Sequence, residues 1–296
     1  MTLLAYGAKK VKALETTLGG KPPKKAADQA LAALKQQMRE RFERRNAQIA
    51  KMRPLMERSQ APLLELVKAD KAAAASLAKR RSLTLARGKE KLRVKHERMK
   101  IDPRMVSGSG FWLKAPPYDV PFNAASGNAS ASSDINAGAY SLSMSGGGSS
   151  AAASAGLGVW FWSTEDNPQQ RIAAVLDYDY SWLDSSDWYT AHNDGSTNIW
   201  VHDFSENAWV LTQGSFDPSW SDGTGWQEDH GSNGDGSEVD GRESLQAFFP
   251  ARANTWYLAF IWSQGSCDDS SGGVFGFSFA QQAQSMSVPF VVFGSL

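Results

Sequence analysis

The chain has 296 residues, a formal net charge of zero, 42% hydrophobic residues and one cysteine, Cys267. A single cysteine excludes an intrachain disulfide and the usual cysteine-based zinc sites. The zero net charge hides a division, because residues 1–100 hold 26 Lys and Arg against 9 Asp and Glu, whereas residues 101–296 hold 5 against 22. All 11 tryptophans lie in the second part. These asymmetries indicate two unlike modules in one chain.

The beginning of the chain has no feature of an export or membrane segment. Residues 1–18 contain too short an apolar run for a secretory signal. The longest apolar runs of the chain reach about a third of the ~20 residues that a membrane-spanning helix needs. We therefore expect synthesis in the cytoplasm without a signal peptide, with release or export by a non-Sec route left open. Glycines and prolines at 19–23 mark residues 1–24 as a separate tail or arm.

Residues 25–105 are predicted to form a basic helical module. Apolar residues recur at steps of three, four and seven along residues 31–56, which places one narrow stripe on a helix over residues 25–58. A stripe this narrow is typical of a coiled-coil seam, which needs a partner helix. Ser59 and Pro62 indicate the cap and first turn of a second helix. The prediction is a helical hairpin or coiled-coil stalk. The stripe includes Leu34, Met38 and Phe42.

The excess of positive charge predicts what this module contacts. Such an excess repels itself unless an acidic neighbour is present. The acidic half of another copy needs no further molecule, so we predict a homo-oligomer. An anionic membrane and nucleic acid are the alternative partners, although no nucleic-acid-binding motif accompanies the charge. The residues predicted to drive assembly, besides the stripe, are Lys79, Arg80, Arg81, Arg87 and Arg93.

Residues 106–296 change to a period of two. Apolar residues alternate with small or charged ones over 140–145 and 172–180, which predicts half-buried strands. Residues 205–207 separate two such runs and indicate a hairpin turn. No helical stretch intervenes, so we predict an acidic, Trp-rich antiparallel β-sandwich, jelly-roll-like in topology. The fold class is therefore α+β with segregated halves, and residues 123–133 are expected to form a flexible linker.

Tryptophan placement gives the main indication of function. Trp188, Trp220 and Trp226 are predicted to lie in loops rich in Gly, Asp and Ser, close to Asp222 and Asp229. Exposed indole rings beside carboxylates could stack on sugars while the carboxylates accept hydrogen bonds from hydroxyl groups. Tryptophan also anchors protein interfaces. These residues are the predicted ligand-binding site.

Acidic residues suggest two further chemistries. A long loop is predicted over residues 217–242, where Asp235, Glu238 and Asp240 are candidate calcium ligands. Glu238 stands where a calcium loop needs glycine, and no other cofactor is expected. Elsewhere, Asp177 and Asp179 share a strand face about 6.6 Å apart, a spacing that suits glycoside hydrolysis but also an ordinary solvated sheet face.

No nucleophile-elbow, Walker A, zinc-protease or dinucleotide motif occurs in the sequence. We therefore predict a non-enzymatic, self-assembling interaction protein whose β-sandwich head binds a glycan or a protein surface. The alternative is a membrane-active protein, similar to a pore-forming toxin, whose cationic amphipathic helices rearrange onto anionic lipid.

Overall fold

The computed structural model describes residues 22–69, 75, 79, 111–146, 149–187, 191–224, 233–269 and 277–294. One long helix, α1 (Lys24–Ala69), precedes eleven strands in these residues. The strands are β1 (Phe111–Lys114), β2 (Val120–Ser126), β3 (Ala129–Asp134), β4 (Ala139–Gly146), β5 (Ala151–Ser163), β6 (Asn167–Asp187), β7 (Ala191–Asp203), β8 (Ala208–Thr224), β9 (Asn233–Ala251), β10 (Thr255–Asp269) and β11 (Phe277–Gly294).

The strands form two antiparallel sheets. Sheet A has the order β3-β4-β11-β6-β9, with β1 paired to the last residues of β11, and sheet B has the order β2-β5-β10-β7-β8. The pairs β4–β11, β5–β10, β6–β9 and β7–β8 are nested along the chain and alternate between the sheets. This is the arrangement of a jelly roll. The predicted antiparallel sandwich is thereby confirmed, as is the hairpin between β7 and β8.

Side chains from both sheets fill the space between them. On β10, Tyr257, Ala259 and Ile261 point into this core and are buried. Across the core, Phe161 of β5 stacks on Phe293 of β11 with ring centroids 4.7 Å apart. Burial of apolar surface stabilises a fold by roughly 25 cal/mol per Å², so this core is the main source of stability. The outward residues of the same strands are then available for other contacts.

The flexible linker predicted at residues 123–133 is wrong, because this region consists of β2 and β3. Its small side chains suit a strand that pairs closely with its neighbour. The hydroxyl groups of Ser130 and Ser143 lie 2.8 Å apart across β3 and β4, and those of Ser132 and Ser141 repeat the contact at 2.8 Å. These cross-strand pairs satisfy the serines that made the segment look like a linker.

The predicted break between two helices at Ser59 and Pro62 is also wrong, because α1 is continuous through Pro54 and Pro62. Both prolines are exposed, so the carbonyl groups that lose their intrahelical hydrogen bonds can be hydrated. The helical hairpin is not confirmed, because most of its predicted second helix lies outside the described residues. Within the described residues, no helix is apolar enough over a sufficient length to cross a membrane.

The apolar stripe of α1 packs on sheet B of the same chain, where the sequence had predicted a partner helix. Leu31 and Leu34 are each 8% exposed and join a cluster with outward side chains of β2, β5 and β10. Met38 is half-buried against this cluster, and Phe42 is half-buried further along the helix. The sheet therefore supplies the apolar partner that the narrow stripe requires.

Candidate functional site

The outer face of sheet B carries two zones that differ in chemistry. Paired residues of neighbouring strands share a face, and their side chains are aromatic toward one end of the strands and polar toward the other. We call the first group the aromatic zone: Phe122, Trp160, Trp162, Trp200, Phe204, Trp209, Trp256, Phe260 and Trp262. We call the second group the polar zone: Ser154, His192, Asp194, Ser196, Asn198, Gln264, Ser266 and Asp268.

The rings of the aromatic zone hold one another edge to face. Trp200 meets Trp209 at a centroid distance of 5.4 Å and an angle of 68°, and meets Trp262 at 4.8 Å and 84°. Trp256 meets Trp162 at 5.3 Å and 60°. Tilted and T-shaped contacts of this kind are the favourable geometry for aromatic pairs. The rings therefore form a rigid surface that requires little ordering when a ligand arrives.

The helix covers only part of this surface. Phe122, Trp160 and Trp262 are 1%, 5% and 3% exposed, and they belong to the cluster that contains Leu31 and Leu34 of α1. The remaining tryptophans of the zone are half-buried and keep part of each ring in contact with solvent. We call them the open tryptophans: Trp162, Trp200, Trp209 and Trp256.

The hairpin between β7 and β8 holds the edge of the aromatic zone. The Asp203 carboxylate accepts hydrogen bonds from the backbone N–H of Ser205 at 2.7 Å and of Glu206 at 3.2 Å. Asn207 has φ +52°, a left-handed conformation that asparagine tolerates well. These interactions fix the conformation of the hairpin turn, which positions Phe204 and Trp209 at the edge of the outer face of sheet B.

His202 lies beneath this edge and is 3% exposed. Its ring centroid is 4.5 Å from that of Phe204 and 4.9 Å from that of Trp209. The buried Nδ1 atom has no hydrogen-bond partner. Burial lowers the pKa of His202, and the charge of Asp203 opposes this shift. The imidazole is therefore a neutral packing element of the aromatic zone at physiological pH.

Amide side chains dominate the start of the polar zone. The Asn198 Nδ2 donates to the Ser196 carbonyl at 3.3 Å, and Gln264 Nε2 donates to Ser196 Oγ at 3.2 Å. Gly214 on β8 leaves room for the Asn198 amide, since a Cβ at that position would lie 2.3 Å from Asn198 Oδ1. These neutral groups offer donors and acceptors on the same face as the open tryptophans.

The far end of the polar zone is charged and touches α1. Arg45 Nη1 donates to Ser266 Oγ at 2.8 Å and lies 3.7 Å from Asp194 Oδ1. The Arg45 guanidinium also pairs with the Asp268 carboxylate. Ser266 Oγ donates in turn to Asp194, and His192 Nε2 lies 3.7 Å from the same carboxylate. One cation of the basic half thus contacts two carboxylates of the acidic half within one chain.

Trp220, a predicted ligand-binding residue, is half-buried and contacts a strand of each sheet. Its ring stacks on Tyr180 of β6, with centroids 5.0 Å apart and planes inclined by 12°. It also covers Gly195, where a Cβ would lie 2.4 Å from the indole. Trp220 therefore packs between β6 and β7, and its role in ligand binding stays a prediction. Asp222 lies on β8 with its backbone opposite Asn193.

Several other predicted site residues lie outside the described residues, and their roles stay predictions. They are Trp188, Trp226 and Asp229 of the ligand-binding site and Arg80, Arg81, Arg87 and Arg93 of the assembly site. Lys79 is described only as an exposed helical residue.

The predicted acidic loop is mostly strand. Strand β8 extends to Thr224 and β9 begins at Asn233, so Asp235 pairs opposite Leu183 and Glu238 opposite Tyr180. An extended, paired backbone does not wrap an ion in the way a calcium loop does. Among the residues that the structure describes, no group of three or more His, Cys, Asp or Glu side chains could hold a metal ion. The calcium site at Asp235, Glu238 and Asp240 stays a prediction.

The paired carboxylates on β6 are built into sheet A. Asp177 is 8% exposed and Asp179 is 3% exposed. Arg242 Nε of β9 donates to Asp177 Oδ1 at 2.8 Å. An enclosed carboxylate that is paired with an arginine of the next strand serves the packing of the sheet, so this geometry does not favour glycoside hydrolysis at the pair.

Sequence reasoning missed three of the open tryptophans: Trp162, Trp200 and Trp256. They lie within strands, whereas the candidate rings were sought in loops rich in Gly, Asp and Ser. A usable signal was present, because the residues between them on β7 and β10, such as Ile199 and Tyr257, are apolar as well. A strand that is apolar on both faces must bury one face elsewhere or present it to a ligand.

No protein family model matches the sequence, and no curated protein matches it. Among solved structures, the family 11 carbohydrate-binding module of Clostridium thermocellum aligns at 9% identity and a TM-score of 0.24, over 64% of this chain and 99% of the module. A promiscuous carbohydrate-binding module of the β-sandwich superfamily aligns at 10% identity and 0.23, over 57% and 56%. The isomalto-dextranase of Arthrobacter globiformis T6 aligns at 8% and 0.21, over 62% of this chain and 23% of the enzyme. These TM-scores assign no family and no function.

Proposed function

We propose that this protein is a non-enzymatic binding protein whose aromatic zone binds a glycan. The observation that carries the proposal is the group of four half-buried tryptophans that adjoins neutral amide and hydroxyl side chains on one sheet face. Contiguous apolar patches on a protein surface mark interaction sites, and several partly exposed indoles lie together on this face.

The two zones match the two surfaces of a sugar. The faces of a pyranose ring carry C–H groups, which pack against an indole, and its rim carries hydroxyl groups, which need donors and acceptors. Along β7, Trp200 and Ser196 point to the same side with about 13 Å between them by strand rise. A linear oligosaccharide that follows the strands would stack on the open tryptophans and reach Ser196 and Gln264, which are half-buried.

A protein surface is the competing ligand, because tryptophan also anchors protein interfaces. The polar zone favours the glycan. Asn198, Ser196 and Gln264 are neutral and already tied to each other by hydrogen bonds, so they present fixed donors and acceptors with little side-chain entropy left to lose.

Glycan-array screening followed by calorimetry with the strongest oligosaccharide tests the proposal. Trp200→Ala and Trp209→Ala should each weaken binding roughly ten-fold, which corresponds to about 1.4 kcal/mol. Phe248→Ala is the matched control, since Phe248 is 40% exposed but lies on β9 of sheet A. A blank array, or an equal loss in the Phe248 variant, would refute glycan binding by this face.

We also propose self-association through the second half of α1, because Met52 and Leu55 are 54% and 57% exposed there. Exposed cations such as Lys51 and Arg58 surround them and would meet the acidic half of another copy. Sedimentation at low and high salt tests this. The oligomer should dissociate as salt rises and in the double variant Met52→Glu/Leu55→Glu, whereas a monomer under all conditions would contradict it.

A further inference from the structure

The contact between α1 and sheet B consists of two unlike parts. Toward the start of the helix, Ala27, Leu31 and Leu34 pack into the covered end of the aromatic zone, and Lys35 Nζ lies 5.5 Å from the centre of the Phe122 ring. One to two turns beyond Met38 the contact becomes polar. We call this polar part of the contact, which centres on Arg45, the charged clasp.

The charged clasp is the part of the contact that salt can weaken. Arg45 bridges Asp194 of β7 and Asp268 of β10, and next to it Asn46 Oδ1 accepts the backbone N–H of Ser150 at 3.2 Å. The Arg45 and Asp194 side chains are each 37% exposed. Ion pairs with this exposure are screened by salt and contribute modestly to stability.

The exposure of the described side chains of α1 changes after Arg53. Beyond Arg53, every side chain of α1 whose exposure the structure describes is exposed, up to Ala69. The described side chains of the 46-residue helix that are buried or half-buried therefore all lie in its first thirty residues. Elements with few buried contacts are those that open locally, so a local opening of α1 has to break only the contacts of this first part.

The helix covers the continuation of the proposed site. Trp262 lies beneath α1 and contacts the open ring of Trp200 at 4.8 Å, and Trp160 lies beneath α1 and contacts Trp256 at 6.0 Å. Covered and open rings thus form one unbroken array. Removal of α1 from the sheet would extend the exposed aromatic surface across β10 and β5 to Phe122 of β2.

We propose that α1 is an autoinhibitory cover of the aromatic zone, clasped by Arg45, and that a long glycan must displace it to bind along the whole array. This inference rests on the proposed glycan binding for the identity of the displacing ligand. A short ligand that needs only the open tryptophans does not compete with the helix. Only molecules with the helix undocked bind a long ligand along the whole array, and their small fraction lowers the apparent affinity for that ligand. A weakened clasp increases this fraction and therefore raises the apparent affinity.

Hydrogen exchange of the Trp160 and Trp262 indole N–H groups measures how often α1 leaves the sheet and exposes these rings to solvent. The measurement needs no ligand. In the full chain, Arg45→Ala and Asp268→Asn should each speed this exchange several-fold, and so should high salt for the unmodified protein. Arg39→Ala is the control, because Arg39 is an exposed cation of the same helix outside both the clasp and the proposed self-association surface, and it should leave exchange unchanged. Unchanged exchange in both clasp variants would overturn the cover.

Calorimetry on the same variants connects the cover to binding. With the strongest oligosaccharide of the glycan array and a disaccharide of the same linkage, Arg45→Ala should raise the affinity for the oligosaccharide several-fold and leave that for the disaccharide unchanged. Equal affinities of Arg45→Ala and the unmodified protein for the oligosaccharide would overturn autoinhibition. Faster indole exchange with no glycan bound by any variant would instead refute the proposed function and uphold a movable helix.

Discussion

The indole of Trp220 lies flat on the phenol ring of Tyr180, with 5.0 Å between ring centroids and 12° between planes. This pair joins β8 of sheet B to β6 of sheet A across the end of the sandwich. The Trp220 ring is half-buried, with one face on Tyr180 and the indole against Gly195. This contact distinguishes Trp220, which packs between strands of the two sheets, from the open tryptophans on the outer face of sheet B.

Trp220→Ala should destabilise the protein without affecting glycan binding. Loss of this half-buried ring removes its packing against Tyr180 and Gly195, and we expect the free energy of unfolding to fall by about 1–3 kcal/mol. Urea denaturation measures this change, and Trp220→Phe should lose less because a ring remains on Tyr180. A variant that unfolds normally but no longer binds glycan would show that Trp220 is a ligand residue after all.

Gly127→Ala should also be destabilising. Gly127 has φ +74°, and a Cβ there would lie 2.5 Å from the Ser150 carbonyl oxygen and 3.2 Å from Phe42 Cζ of α1. The backbone conformation is costly for alanine, and the clash is with main chain that cannot rotate away. We expect a loss of about 1–3 kcal/mol by thermal or urea unfolding. Ala125→Ser, at an exposed position of β2, is the control, and equal stability of the two variants would contradict the turn geometry.

His202 should make the stability of the sandwich sensitive to acid. Burial places the pKa of His202 below the ordinary value of 6.5. The unfolded chain therefore takes up a proton at pH values where the folded protein does not, so the free energy of unfolding falls as the pH drops below 6.5. This residue alone contributes a slope of at most about 1.4 kcal/mol per pH unit.

His202→Gln removes the proton uptake, and its unfolding free energy should decline less steeply below neutral pH. Urea unfolding at several pH values gives both slopes, and carboxylates contribute equally to each protein. Parallel curves for the two proteins would mean that His202 becomes protonated as readily in the folded state as in the unfolded one.

The period-two alternation and the turn at residues 205–207 were sufficient to predict the antiparallel sandwich, because inward residues such as Ile199 and Ile261 follow a local rule. The same rule could not distinguish a serine-rich strand from a linker. The hydroxyl contacts that make β3 a strand come from Ser141 and Ser143 on another strand, and nothing local to residues 123–133 specifies that pairing.

The site was harder to predict because it depends on which face of a strand remains open. Trp262 and Trp200 follow the same alternation, yet the helix buries one and leaves the other half-exposed. The stripe on α1 correctly indicated a need for an apolar partner. Leu34 does not specify whether that partner is a helix of another copy or a sheet of its own chain, since either surface buries the same side chain.

Each of the 11 tryptophan side chains carries one indole N–H group, so a nitrogen–proton NMR titration with the strongest glycan of the array follows each ring by its assigned signal. Binding to the outer face of sheet B predicts the largest shifts at Trp162, Trp200, Trp209 and Trp256, with Trp220 unmoved. The largest shifts at Trp188, Trp220 or Trp226, the rings that the sequence alone singled out, would contradict a ligand site on this face.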